Sequence, residues 1–149
     1  MAKAPRYLLD VNVFAALLIE DHEHHQLVTE WFNSSAGLQW AICPFTEAGF
    51  VRLATNTKVR GHMEMREATE LLTRIAQHPG YNYQPISADW HTLCGPFFKR
   101  LYGTNQVTDA YLLGLAVHEG LVLVTLDSAI NHLAGEHSGH VLVLTEQGN

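Results

Sequence analysis

The chain has 149 residues, a net charge of −6, 47% hydrophobic side chains and 16% charged ones. That length fits one domain of ordinary size, and that balance supplies a hydrophobic core and excludes an intrinsically disordered chain. An acidic total also excludes a protein that holds nucleic acid by bulk electrostatics alone.

Tyr7-Leu8-Leu9 reads as a short apolar strand, and residues 13–19 as a helix with Asn12 as its cap. Leu27, Val28, Trp31 and Phe32 recur at helical spacing within residues 25–33. Residues 38–43 alternate as a strand does, and Pro44 suits the first turn of a helix reaching about Thr55. Residues 64–77 carry an amphipathic stripe, and residues 81–85 a short strand. Asp89 caps a helix towards Leu101 that Gly95-Pro96 interrupts. Residues 110–118 are helical and stop at Gly120. Residues 121–125 are a continuous apolar strand, the pattern of a parallel sheet covered on both faces. A brief helix at 128–133 and a strand at 141–144 follow. The order β-α-α-β-α-α-β-α-α-β-α-β predicts a parallel α/β sandwich, with residues 1–149 forming a single domain.

Cys43 and Cys94 lie far apart with no CxxC spacing, which disfavours a disulfide framework. Asp10 and Asn12 interrupt the apolar runs near the start, so no signal peptide or membrane span is read there. A cytoplasmic protein with no membrane partner is the expectation. Arg52, Lys58, Arg60, Arg66 and Arg74 hold five of the nine basic residues between positions 52 and 74. Most single cations of this kind are solvated helix faces, but together they leave room for a phosphate-tracking surface.

Four acids carry the chemistry. Asp10 follows the first strand, Asp127 follows the 121–125 strand, and Glu47 sits in the first helical turn after the second strand. Asp109 opens the helix that feeds the 121–125 strand. Parallel strands share one carboxyl edge, where open α/β sheets bind their ligands, so all four are expected on one rim. Any one of them alone has a capping explanation. Converging, they would raise one another's pKa, and a hard divalent cation with oxygen ligands, Mg²⁺ or Mn²⁺, resolves that repulsion. Asn12 and Thr108 stand beside two of the acids as supporting polar groups. Such a site suits in-line displacement at phosphorus. No GxxxxGK[ST] run supports Walker-type nucleotide hydrolysis.

The segments Leu8-Leu9-Asp10-Val11-Asn12, Cys43-Pro44-Phe45-Thr46-Glu47, Val107-Thr108-Asp109-Ala110-Tyr111-Leu112 and Thr125-Leu126-Asp127, with Gln106 before the third, resemble the four signature segments of PIN-domain ribonucleases. The fuller likeness is to VapC-type toxins of bacterial toxin–antitoxin pairs, from Leu8 to about Leu144. The resemblance implies a PIN-like three-layer α/β/α sandwich, with Asp10, Glu47, Asp109 and Asp127 as catalytic and metal-site acids. It implies Mg²⁺ or Mn²⁺ dependence and cleavage of structured or single-stranded RNA loops such as those of transfer or ribosomal RNA. It further implies a homodimer and a cognate VapB-type antitoxin. The fourth acid varies in position and role across PIN domains.

Two rival readings stand beside it. One is a catalytically degenerate PIN-like module that binds RNA or protein without cutting. The other is a phosphatase or dehalogenase with Asp10 as nucleophile; that chemistry wants an acid at position 12 or a well-placed lysine, and position 12 is Asn. The His22, His24 and His25 cluster invites a transition-metal reading, but polar residues are expected in a turn between helices. His118, His132, His137 and His140 read as surface or loop residues, and Cys43 as a small buried one. Trp31, Trp40, Trp90, Phe97 and Phe98 are core candidates, and the segment Gly95-Pro96-Phe97-Phe98-Lys99-Arg100 is a candidate secondary RNA or partner contact.

Overall fold

The computed structural model describes residues 4–146. Within them, β1 (Arg6–Leu9), β2 (Gln39–Ile42), β3 (Tyr81–Tyr83), β4 (Val122–Thr125) and β5 (Val141–Val143) form a sheet in the order β3-β2-β1-β4-β5, every pairing parallel. The helices are α1 (Val11–Leu18), α2 (His25–Phe32), α3 (Pro44–Ala54), α4 (Met65–Ile75), α5 (Trp90–Cys94), α6 (Val107–Glu119) and α7 (Ile130–Ala134). The succession is the one the sequence predicts.

Strand periodicity sorts the core into two layers, because successive side chains leave opposite faces of a strand. Leu8, Ala41, Cys43 and Leu123 pack with α5, α6 and α7. Their neighbours Leu9, Trp40, Ile42 and Val124 pack with α1, α2, α3 and α4. The result is a sheet between two helical layers.

Two glycines show how close the layers come. A Cβ on Gly114 would run into the Leu93 carbonyl oxygen, so α5 and α6 meet backbone to backbone there. Gly120, at φ 70°, ends α6 in a left-handed turn in which Leu121 N–H donates to Ala116 O at 2.7 Å.

Several boundaries move. Asp10, not Asn12, caps α1, since its carboxylate accepts from Val11 N–H at 2.7 Å and the helix begins two residues earlier than expected. Helix α6 starts at Val107, so Asp109 lies within its first turn. Past Cys94 the chain tightens into a 3₁₀ segment at Gly95–Arg100, the interruption that Gly95-Pro96 foreshadows.

Candidate active site

The chain reverses direction across the sheet at β1: the first three strands build outward on one side, and β4 and β5 on the other. The crevice at the carboxyl ends of β1 and β4 is therefore the topological switch point, the usual ligand position in such sheets. Asp10 stands directly after β1, and its N–H continues the ladder by donating to Val124 O at 3.0 Å. Asp127 stands two residues past the end of β4.

Strand parity aims the groups. Asp10 shares the face of Leu8, and Thr125 that of Leu123, the face covered by α6. Thr125 Oγ1 donates to Asp10 Oδ2 at 2.7 Å and accepts from Asp127 N–H at 3.1 Å. One buried hydroxyl thus ties the Asp10 carboxylate to the turn that carries Asp127. That turn is further set by Asp127 Oδ1, which accepts from Ala129 N–H at 3.0 Å. Thr46 Oγ1 donates to Leu9 O at 2.8 Å and pins the start of α3 to the end of β1.

Electrostatics join three of the four acids. Burial, together with the charges of Asp10 and Asp127, pushes the Asp109 carboxyl up from 3.8 to about 6. Asp10 is 8% exposed, and its carboxyl is also raised, chiefly by burial and in small part by Asp127. Its hydrogen bonds from Thr125 and Val11 oppose that rise. Glu47 is placed differently. It is half-buried on α3, in the opposite helical layer, and its charge falls on the Tyr81 and Tyr83 hydroxyls, where it adds to a rise begun by desolvation. Asn12 and Thr108 are exposed beside Asp10 and Asp109, with no side-chain hydrogen bond among the described residues. Charge thus couples Asp109 to Asp10 and Asp127, whereas Glu47 acts on Tyr81 and Tyr83 near the start of α3, where Phe45 meets Tyr111 of α6 at 5.0 Å.

Among the described residues, no three His, Cys, Asp or Glu side chains are already drawn into a cation-ligating group. The charges of Asp10 and Asp127 nevertheless bear on Asp109, and the donors of all three are oxygens. This donor set fits a hard divalent cation, whose charge would relieve the repulsion that raises Asp109.

Thr46 and Thr125 are the two residues that sequence reasoning passed over. Both are buried polar residues, and only the placement of Thr125 at the close of the apolar run Leu121–Val124 offered a weak signal. The histidine cluster takes structural roles: His22 Nδ1 accepts from His24 N–H at 3.0 Å, and His25 Nδ1 bonds Ala16 O at 2.7 Å. Cys43 and Cys94 are buried free thiols, and burial pushes Cys94 up to about 11. Trp40 and Phe97 are core, whereas Phe98 is exposed. Arg100 Nε donates to Leu133 O at 2.9 Å, so this cation braces α7.

Residues 7–136 match the PIN domain family, which is most of the chain and all of the crevice. The chain belongs to the PIN-domain family. Within it, the chain is 41% identical over 128 residues to Ribonuclease VapC38 of Mycobacterium tuberculosis, a match covering 85% of this chain and 89% of that one. It is 39% identical over 128 residues to Ribonuclease VapC44 of the same species, covering 84% and 88%. Among solved structures, its fold resembles VapBC2 from Rickettsia felis bound to a DNA fragment from their promoter, with a TM-score of 0.59 at 14% identity over 93% of this chain and 96% of that one. It also resembles the Mycobacterium tuberculosis toxin VapC20, described as cleaving the sarcin-ricin loop, with a TM-score of 0.57 at 15% identity over 77% and 84%. Those two likenesses speak to this PIN domain's architecture.

Proposed function

We propose that this PIN-domain chain is a metal-dependent endoribonuclease, the toxin of a VapBC-type pair, and that Asp10, Asp109 and Asp127 hold its Mg²⁺ or Mn²⁺. The observation that carries the reading is the convergence of these acids at the β1–β4 switch point, where burial and the charges of Asp10 and Asp127 raise Asp109 to about 6. The kinship with VapC ribonucleases supports RNA as the polymer cut. When bound, the divalent ion supplies a more acidic water and shields phosphate charge.

The chain's own residues do the rest. Asp109 exchanges its proton near pH 6 and must be ionised to serve as a ligand. Thr125 keeps one Asp10 oxygen fixed by its hydrogen bond, and Val11 N–H fixes the other, so the carboxylate does not turn away when substrate arrives. The amino-terminal end of α6 points its positive dipole at the same crevice and favours anionic groups there. Glu47 joins the reading as the fourth acid of the site, on the α3 side. The substrate is structured or single-stranded RNA, with loops of transfer or ribosomal RNA as the first candidates. A homodimer, a VapB-type antitoxin and a cytoplasmic setting complete the reading; among the described residues no helix is long and apolar enough to cross a membrane.

The test is cleavage of transfer and ribosomal RNA by the purified chain with Mn²⁺, compared with Asp10→Asn and Asp109→Asn. Both variants should lose cleavage while keeping the fold. Wild-type rates in both would overturn the assignment, and RNA binding without cleavage by the native chain would favour the degenerate module instead.

A further inference from the structure

A groove of about 470 Å³ opens beside the acids, lined by Val11, Phe45, Ala48, Arg52, Asn56 and Thr108 together with Gly49 and Leu53. Val11 follows Asp10 and Thr108 precedes Asp109, so the groove begins where the acidic crevice ends. Its floor is one face of α3, because Phe45, Ala48 and Arg52 recur at spacings of three and four residues, and Asn56 lies just past the end of that helix. The opposing wall is held close. A Cβ on Gly49 would lie 2.6 Å from Val11 Cγ2, so α1 and α3 come into close contact at the edge of the groove.

The groove offers donors. Arg52 is exposed and forms no ion pair or side-chain hydrogen bond among the described residues. Asn56 accepts from Lys58 N–H at 3.0 Å through Oδ1, which leaves its amide protons free and turned from that turn. A guanidinium and a carboxamide N–H beside an apolar, part-aromatic floor match the acceptors of a nucleotide: phosphate oxygens and base carbonyls.

We propose that the α3 groove seats the nucleotide next to the scissile phosphate, with Arg52 bonded to that nucleotide's own phosphate. This rests on the endoribonuclease reading. It gives an acidic protein a local cation where a polyanion must turn away from three carboxylates. The basic residues Lys58 and Arg60, just beyond Asn56, continue the same polarity outward.

The experiment measures binding of a short, fluorescently labelled single-stranded RNA of random sequence to the full chain in chelator, across a salt series. Arg52→Ala, Arg52→Lys and, as a control outside the groove, Arg74→Ala are compared with the native chain. Cleavage of the same RNA with Mn²⁺ gives kcat and KM. Arg52→Ala should weaken binding about fivefold to tenfold and lower the slope of log K against log salt by about 0.7, the value for one phosphate contact of a single strand. KM should rise with kcat little changed, Arg52→Lys should recover most of the salt slope, and Arg74→Ala should match the native chain. An Arg52→Ala chain with native affinity, slope and KM overturns the subsite, as does a native chain that does not bind the RNA. Arg52-dependent binding without any cleavage would sink the endoribonuclease reading and leave the subsite standing; cleavage that ignores Arg52 would do the reverse.

Discussion

Replacing Asp109 with Asn should stabilise the fold while abolishing cleavage. The native carboxyl titrates at about 6 in place of 3.8, because it is desolvated and faces Asp10 and Asp127. A group with a raised folded-state pKa costs stability when ionised. That cost is complete well above pH 6, shrinks as pH falls through 6, and vanishes below 3.8. At full strength the displacement corresponds to ~3 kcal/mol. Asp109 is only half-buried, so solvent screening reduces this to about 1.5 kcal/mol. Asparagine keeps the shape without the charge, so Asp109→Asn should gain about that much at pH 7.5, or roughly 3–6 °C in Tm for a chain of this size. At pH 5 about half of the gain should remain, since the native carboxyl is by then mostly protonated. The assay is urea unfolding in chelator at both pH values. A variant no more stable than native at pH 7.5, or one whose advantage does not shrink at pH 5, would refute the electrostatic account of the crevice.

Thr125→Val removes the bond to Asp10 Oδ2 and the acceptor for Asp127 N–H, so cleavage should fall about 10- to 100-fold in a rate assay, with an acid limb moved to higher pH. Gly114→Ala forces a methyl group against the Leu93 carbonyl and should cost about 1–3 kcal/mol in a denaturant titration. Mn²⁺ at about a hundred times its Kd should stabilise the native chain by about 2.7 kcal/mol in thermal melts. Cleavage should also decline as pH drops through about 6, where Asp109 takes up its proton, and excess Mn²⁺ should carry that decline to lower pH.

The sheet was legible because its signals are local. Leu121–Thr125 is too short and too apolar for anything but a strand covered on both sides, and Gly120 marks where the preceding helix must stop. The rim positions of Asp10 and Asp127 then follow from all strands running one way. The hydrogen-bonded capping of α1 by Asp10 was less legible. Asp and Asn both cap well, and the choice between positions 10 and 12 depends on where the β1–β4 ladder ends, which Val124 O decides from 114 residues away. Thr125 was hidden for the same reason, since its partner Asp10 is distant in sequence and threonine is unremarked at the end of a strand.

Glu47 is the acid whose charge the structure couples least to the other three. The sequence puts it at the right height, just past the carboxyl end of β2, but height along a strand does not fix the layer to which a helix belongs. Helix α3 packs with Leu9, Trp40 and Ile42, whereas Asp10 and Thr125 share the face of α6. The aspartates consequently repel one another across one face, and Glu47 and Arg52 line the approach from the other. An acidic chain can then handle a polyanion by dividing the work. Carboxylates are concentrated where a divalent ion offsets them, and the proposed phosphate-binding cation, Arg52, stands on α3 beside them.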